Sequence, residues 1–232
     1  MMNVLVIGSN GAVGRKVISQ LKDTEHSSVA LVRKEEQVSE LKELGADKVV
    51  VQDLEEDFSS AFEGVDSVIF TAGSGGSTGA DKTLLVDLWG AKKAVDYATK
   101  HQVKKFVHLS ATDSVEPDKE TDVMKPYAVA KHFSDLYIEN SDLNYTIVHP
   151  GPLQNEEGTG KINAELDITR DPNSYTIPRE DVATVLIEAL DASAVEGKDI
   201  FIQTGQTDIK DSINIINLVI YTSISMFIKH FV

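Results

Sequence analysis

The fold is decided by residues 4–14, Val-Leu-Val-Ile-Gly-Ser-Asn-Gly-Ala-Val-Gly, where an apolar run leads directly into three glycines spaced G-x-x-G-x-x-G. The first four residues predict a buried strand, and Val13–Lys22 has the spacing of an amphipathic helix. Gly8 permits a tight turn, Gly11 lets the backbone approach a pyrophosphate, and Gly14 lets the helix pack closely on the strand. A helix N-terminus attracts phosphate, so this stretch predicts a dinucleotide-binding βαβ unit. The expected binding residues are Gly8, Ser9, Asn10, Gly11, Ala12, Val13 and Gly14.

Short apolar runs alternate with amphipathic segments along the rest of the chain, as in parallel strands buried on both faces. Further strands are predicted at Val29–Val32, Lys48–Val51, Val68–Thr71, Lys105–Leu109, Tyr145–Val148 and Asp199–Gln203. Further helices are predicted at Gln37–Leu44, Leu84–His101, Pro126–Asn140 and Arg179–Ala192. In Leu84–His101 the residues expected to face inward are Leu85, Leu88, Trp89, Ala91, Val95 and Ala98. The alternation predicts an α/β, Rossmann-like, doubly wound parallel sheet with helices on both faces. We expect one domain over residues 1–212, with a small substrate-side region after residue 150.

Bulk composition excludes several function classes. The chain has 232 residues and a net charge of −15, so nucleic acid and anionic lipid are not expected as partners. It has no cysteine, which excludes disulfides and thiolate chemistry. The six histidines show no zinc-binding spacing, so no metal site is expected, and His108 alternates with apolar neighbours as a core residue does. The N-terminus lacks a secretory pattern, which favours a cytoplasmic location.

The end of the second predicted strand bears on the choice of cofactor. An NAD site usually carries an acidic residue there for the ribose 2′-hydroxyl, but this chain has Arg33 and Lys34. Two cations would attract a 2′-phosphate, which predicts NADP, with NAD as the alternative. Asp53 and Leu54 follow the third strand and are expected near the adenine. Asp53 either accepts from the exocyclic amine or caps the next turn.

Three further motifs resemble the short-chain dehydrogenase/reductase superfamily. They are Phe70-Thr71-Ala72-Gly73, Tyr127-Ala128-Val129-Ala130-Lys131 and Pro150-Gly151-Pro152-Leu153. With the glycine spacing, they are similar to its atypical, NmrA-like NAD(P)H-binding group of nucleotide-sugar epimerases or dehydratases, over residues 1 to about 212. The resemblance implies cofactor contacts from Thr71, Ala72, Gly73, Lys131, Pro150, Gly151 and Leu153. It also implies that Lys131 binds the nicotinamide ribose.

The spacing of Tyr127 and Lys131 has its own chemical meaning. Residues four apart share a helix face, and an ammonium beside a phenol lowers the phenol pKa. Such a tyrosine exchanges a proton with a substrate hydroxyl while hydride moves to or from the nicotinamide. We therefore predict Tyr127 as acid/base and Lys131 as its activator.

The family also places a hydroxyl just beyond the fifth strand to orient the substrate. Ser110 is the first choice for this role, with Thr112 and Ser114 as alternatives. Two positions depart from related sequences: Asp87 stands where many members have asparagine, and His149 stands where arginine is common. Both departures weaken the transfer of a detailed mechanism.

The resulting function is an NAD(P)-dependent oxidoreductase or epimerase-like enzyme acting on a small hydroxyl or carbonyl substrate. The alternatives are an NADP-sensing regulatory protein without turnover and a flavin or quinone reductase. The loop 73–79 is expected to be a mobile active-site loop. Residues 213–232 form an apolar tail that packs on the body or a partner, or else anchors in a membrane. A monomer or homodimer is expected.

Overall fold

The computed structural model describes residues 1–76, 78–168 and 175–216. Its strands are β1 (Asn3–Ile7), β2 (Ser27–Val32), β3 (Lys48–Val51), β4 (Ser67–Phe70), β5 (Lys105–Leu109), β6 (Tyr145–Pro150), β7 (Leu153–Gln154), β8 (Lys161–Glu165), β9 (Ile177–Pro178), β10 (Lys198–Thr204) and β11 (Thr207–Asp208). Its helices are α1 (Ala12–Leu21), α2 (Val38–Leu44), α3 (Ala80–Lys82), α4 (Trp89–Lys100), α5 (Lys125–Glu139) and α6 (Arg179–Asp191). A π-helical segment, Thr83–Leu88, joins α3 to α4.

Within these ranges the main sheet has nine strands in the order β11-β8-β10-β6-β5-β4-β1-β2-β3. The seven strands from β10 to β3 are parallel, with Val6 of β1 opposite Ala30 on one side and Ile69 on the other. The strand order reverses at β1, and ligands bind at the carboxyl ends of strands beside such a reversal. The predicted doubly wound α/β fold and all seven predicted strands are confirmed.

The core lies in two layers, one on each face of the sheet. Alternate residues of β1 point to opposite faces, so Val4 and Val6 join one cluster with α1 and α6. Leu5 and Ile7 join the other, with α4 and the aromatic residue Phe58. This double burial explains why the strands are continuously apolar rather than alternating.

Two residues of the predicted helix Leu84–His101 do not face inward. Leu85 is 40% exposed and Trp89 is 51% exposed, whereas Ala91, Val95 and Ala98 are buried as predicted. The π-helical segment changes the angular phase before Trp89, because its turn is wider than an α-helical turn. Small residues of α4 then pack on the sheet, and the larger side chains remain outside.

The region after residue 150 adds elements that the sequence analysis did not predict. β8 and β11 extend the sheet in the antiparallel direction, and β7 pairs with β9. Ile213 and Ile216, from the start of the predicted tail, are buried in the α1–α6 core. The rest of the tail, 217–232, lies outside the described residues. Over the described ranges, no helix is both long enough and apolar enough to cross a membrane.

Candidate functional site

A cavity of about 350 Å³ opens at the carboxyl ends of β1, β2 and β4. The predicted cofactor residues that line it are Gly8, Asn10, Gly11, Arg33, Asp53, Leu54, Thr71, Ala72 and Gly73. From the predicted loop 73–79, Ser74 and Thr78 also line it, while Ser77 lies outside the described residues. Segments far apart in sequence are therefore brought together at the predicted place. We call this cavity the cofactor cleft.

The glycine turn is built for close approach. Gly8 has a φ of +86°, and a Cβ there would lie 2.6 Å from the Ala72 backbone. A Cβ on Gly14 would overlap the carbonyl oxygen of Gly8. Buried Ser9 donates to the Leu31 carbonyl at 2.7 Å, which ties the turn to β2.

The N-terminus of α1, at Ala12 and Val13, follows the glycine turn, and its backbone N–H groups have no side-chain acceptor among the described residues. Among the described residues no side chain caps it, and its first turn contains no acidic residue. The first amide groups of a helix need external acceptors, and a phosphate satisfies them. A pyrophosphate therefore fits this turn both sterically and electrostatically.

Two cationic residues, Arg33 and Lys34, follow β2 in a turn that is held by hydrogen bonds. Gln37 Oε1 accepts the backbone N–H groups of Arg33 and Lys34 at 3.2 and 3.1 Å. Both side chains are exposed, and Arg33 lines the cofactor cleft. This arrangement leaves the Arg33 guanidinium in reach of a ligand in the cleft.

Asp53 caps the turn, which is one of its two predicted roles, and its acceptance of the adenine amine stays a prediction. Its Oδ1 accepts the Glu55 N–H at 2.9 Å, which caps the turn, while the residue also lines the cleft. Glu55 in turn pairs with Lys82 Nζ at 2.6 Å, a contact between two lining residues that the sequence did not predict.

Tyr127 and Lys131 lie on α5, but the expected effect of the lysine on the phenol is wrong. Lys131 is buried, and its Nζ donates to the Leu109 carbonyl at 2.8 Å. Burial, followed by the carboxylates of Asp87, Asp113 and Asp135, raises the pKa of Tyr127. The phenol therefore holds its proton more firmly than an exposed tyrosine does, because it is buried and the surrounding charges are negative. Burial also lowers the pKa of Lys131, against the opposing effect of Asp87 and Asp135.

Asp87 connects this part of the site to the cofactor cleft. The residue is fully buried, and its Oδ2 accepts the Ser74 N–H at 2.8 Å. Its Oδ1 has no hydrogen-bond partner among the described residues and lies 3.0 Å from where a Cβ on Gly73 would be. Asparagine, which many related sequences have at this position, would present a similar shape without the charge. The aspartate therefore changes the electrostatics of the site more than its packing.

The three candidate hydroxyls beyond β5 are all buried and have different partners. Ser110 Oγ lies 2.6 Å from Asp135 Oδ2 and 3.3 Å from Ser114 Oγ. Ser114 donates to the Ala111 carbonyl at 2.9 Å.

Thr112 Oγ1 lies 2.6 Å from the hydroxyl of Tyr175, and both residues border a small cavity between β8 and β10. The choice among the three hydroxyls therefore stays a prediction.

His149, at a position where arginine is common in related sequences, is a buried residue among polar groups. Its Nδ1 lies 3.1 Å from the Ala111 carbonyl, and its Nε2 lies 2.9 Å from Asp199 Oδ2. Nδ1 also lies 3.3 Å from Ser114 Oγ, so both ring nitrogens have polar partners. Burial opposes the charge, but the contributions led by the hydrogen bond to Asp199 outweigh it and raise the pKa of His149. His108 is fully buried, and that burial holds its pKa well below the usual value, consistent with a neutral core histidine.

The loop after β6 lies beside the site without lining the cofactor cleft. Gly151 donates its N–H to the Ile202 carbonyl at 3.1 Å, and a Cβ there would overlap the Tyr175 carbonyl. Leu153 pairs with Ile177 in the small sheet. The predicted cofactor contacts of Pro150, Gly151 and Leu153 remain predictions.

The fold and the glycine turn define a nicotinamide-dinucleotide-binding protein, and comparison with known proteins agrees. A family model described as NAD(P)H-binding matches residues 8–193, so the chain belongs to that family. It is 42% identical over 215 residues to the uncharacterized sugar epimerase YhfK of Bacillus subtilis, covering 91% of this chain and 99% of that protein.

Two solved structures are also similar. A Bacillus halodurans protein with the provisional name NAD-dependent epimerase/dehydratase has a TM-score of 0.87 and 47% identity, covering 92% of this chain and 99% of that one. The oxidoreductase ylbE from Lactococcus lactis has a TM-score of 0.78 and 33% identity, covering 91% and 95%.

Proposed function

We propose that this protein is an NADP-dependent oxidoreductase that reduces the carbonyl group of a small substrate, with Tyr127 as the proton donor. The observation that carries the proposal is the place of Tyr127 on α5, where burial and the charge of Asp87 raise the pKa of its phenol. Asp87 itself lies against Gly73, which lines the cofactor cleft. A general acid must hold its proton until the reaction needs it.

The residues that would hold the cofactor fit a nicotinamide dinucleotide. The turn from Gly8 to Gly14 and the free end of α1 would bind the pyrophosphate, and Arg33 would bind a 2′-phosphate. When bound, the reduced nicotinamide supplies the hydride. Asp53 and Glu55 also line the cleft, and their negative charges do not favour a phosphate. Arg33 is therefore the residue of these three that favours NADP over NAD.

The protein groups then complete the reaction at the substrate oxygen. As hydride reaches the carbonyl carbon, Tyr127 donates its proton to the oxygen, which yields an alcohol and a phenolate. Lys131 keeps two N–H groups besides the one donated to Leu109, and these would bind the nicotinamide ribose. Because burial and the negative charges of Asp87 and Asp113 disfavour the phenolate, this site favours carbonyl reduction over alcohol oxidation.

An epimerase activity is the second candidate, favoured by the 42% identity to a protein named as a sugar epimerase. Epimerisation needs the same hydride and proton transfers, but it also needs room to hold and turn a sugar. Between β6 and α6 the described chain forms only β7, β8 and β9, which offers little material for a sugar-nucleotide pocket.

The test begins with titration of the protein by NADPH and NADH, followed by a panel of aldehydes, ketones, quinones, flavins and sugar nucleotides. Tyr127→Phe is compared with Tyr137→Phe, a matched change on the same helix whose hydroxyl bonds Asp96 at the surface. We expect carbonyl reduction to fall about a hundredfold or more in Tyr127→Phe and to persist in the control. Full turnover of quinones or flavins by Tyr127→Phe would instead identify a reductase without a protein acid. Cofactor binding without turnover of any compound would favour the alternative of an NADP-sensing regulatory protein.

A further inference from the structure

Asp135 is a buried carboxyl group directly behind Ser110. It lies on α5 one turn after Lys131, is 5% exposed, and its Oδ2 lies 2.6 Å from Ser110 Oγ. Its Oδ1 has no hydrogen-bond partner in the described part of the chain and lies 3.5 Å from His108 Nε2. An ionised carboxylate in such a place has donors at one oxygen only, which leaves much of its lost hydration without compensation.

The charged and titratable groups around Asp135 come from several elements. Lys131, Tyr127 and Glu139 lie on α5 itself, His108 on β5, and His149 on β6.

The two cations near Asp135 are only partly available to it. The Lys131 ammonium donates to the Leu109 carbonyl, and the ring nitrogens of His149 lie against the Ala111 carbonyl and Asp199. Burial raises the pKa of Asp135, and His149, Ser110, Lys131 and Ser114 offset this only in part. On the far side, Asp87 and Asp113 face Tyr127 and add negative charge.

Ser110 has a single proton, and Asp135 decides where that proton points. If Asp135 is ionised, its Oδ2 accepts the 2.6 Å hydrogen bond that the Ser110 hydroxyl donates. If Asp135 is neutral, its own O–H donates to Ser110 Oγ instead. The proton of Ser110 is then free to turn from Ser114, 3.3 Å away, to a substrate oxygen.

We propose that Asp135 is a positioning residue whose neutral carboxyl group donates to Ser110, so that Ser110 can donate to the substrate carbonyl. This inference rests on the proposed carbonyl reduction and assigns Ser110 the orienting role. The proton of Asp135 is not consumed, since it stays in the hydrogen bond to Ser110 throughout the reaction. Turnover therefore falls when rising pH ionises Asp135.

Infrared spectroscopy of the protein without substrate tests the protonation state. We expect a carboxylic-acid C=O band at pH 7 that is absent from Asp135→Asn and that disappears at higher pH. A band that is already missing at pH 7 overturns the inference. This reading does not depend on turnover, so it separates a failure of the inference from a failure of the proposed function.

Kinetics test the coupling to Ser110. Asparagine keeps the shape and donates its amide N–H to Ser110 at every pH, whereas leucine fills the space without donating. We expect Asp135→Asn to retain kcat/KM and to lose the decline at high pH that wild type shows. In Asp135→Leu we expect kcat/KM to fall about tenfold or more at all pH values, and we expect the same of Ser110→Ala. Wild-type activity in a folded Asp135→Leu, or an unchanged decline in Asp135→Asn, would reject the proposal.

Discussion

The carbonyl oxygen of Gly8 occupies the space that a Cβ atom on Gly14 would need. Since the obstacle is backbone, Gly14→Ala must displace α1 from β1. We expect a loss of about 1–3 kcal/mol in the free energy of unfolding and weaker NADPH binding, measured by urea denaturation and calorimetric titration. Gly76→Ala is the control, because a Cβ there meets no atom within 4 Å. Equal stability of the two variants would contradict the close packing of this turn.

Arg33→Ala tests the preference for NADP. The guanidinium lines the cofactor cleft at the end of β2 and can bind a phosphate with two parallel N–H groups. We expect the Kd for NADPH to rise about tenfold or more and the Kd for NADH to stay unchanged, by isothermal titration calorimetry. Lys100→Ala, at the end of α4, controls for the loss of one positive charge. Equal losses of affinity for both dinucleotides would remove the basis for preferring NADP.

Asp87→Asn tests the electrostatics of Tyr127. Burial and Asp87 both raise the pKa of Tyr127, so removing this carboxylate favours the phenolate and lowers that pKa. A ¹³C-tyrosine NMR titration should show the shift relative to wild type, with Asp81→Asn on α3 as the control. A rise in the Tyr127 pKa, or no change, would show that Asp87 does not act on the phenol.

His149→Gln tests a pH-dependent contribution to stability. The folded protein raises the pKa of His149, so the protonated ring stabilises the fold fully below the unfolded value near 6.5. That contribution is lost as pH rises through the folded pKa. Urea denaturation should show a deficit in the variant of about 1–3 kcal/mol at pH 5.5 that shrinks at pH 9. His101→Gln is the control, and a deficit that is the same at both pH values would argue against a charged His149.

Local patterns were enough to predict the parallel part of the sheet and the cofactor cleft. The parallel strands are mostly apolar runs, and the turn from Gly8 to Gly14 contains its whole signal within one segment. The exposure of Trp89 was missed because a π-helical segment changes the helix phase, and periodicity assumes a regular helix.

The electrostatics of the site depend on long-range contacts and could not be read from spacing. Tyr127 and Lys131 are four residues apart, but the charges that set the phenol pKa come from Asp87 and Asp113, on other elements. Asp135 carries no motif, and a single aspartate in a helix usually marks a solvated face. Its burial against Ser110 appears only when α5 packs on the end of β5.

The outward position of Trp89 has a practical consequence. It is the only tryptophan in the chain, so intrinsic emission reports on one place in the molecule. Its neighbour Gly90 packs against Leu54, where a Cβ would lie 3.5 Å away, and Leu54 lines the cofactor cleft. The protein thus contains an optical probe next to its binding site, and quenching of that emission can follow dinucleotide binding without a label and before any substrate is known.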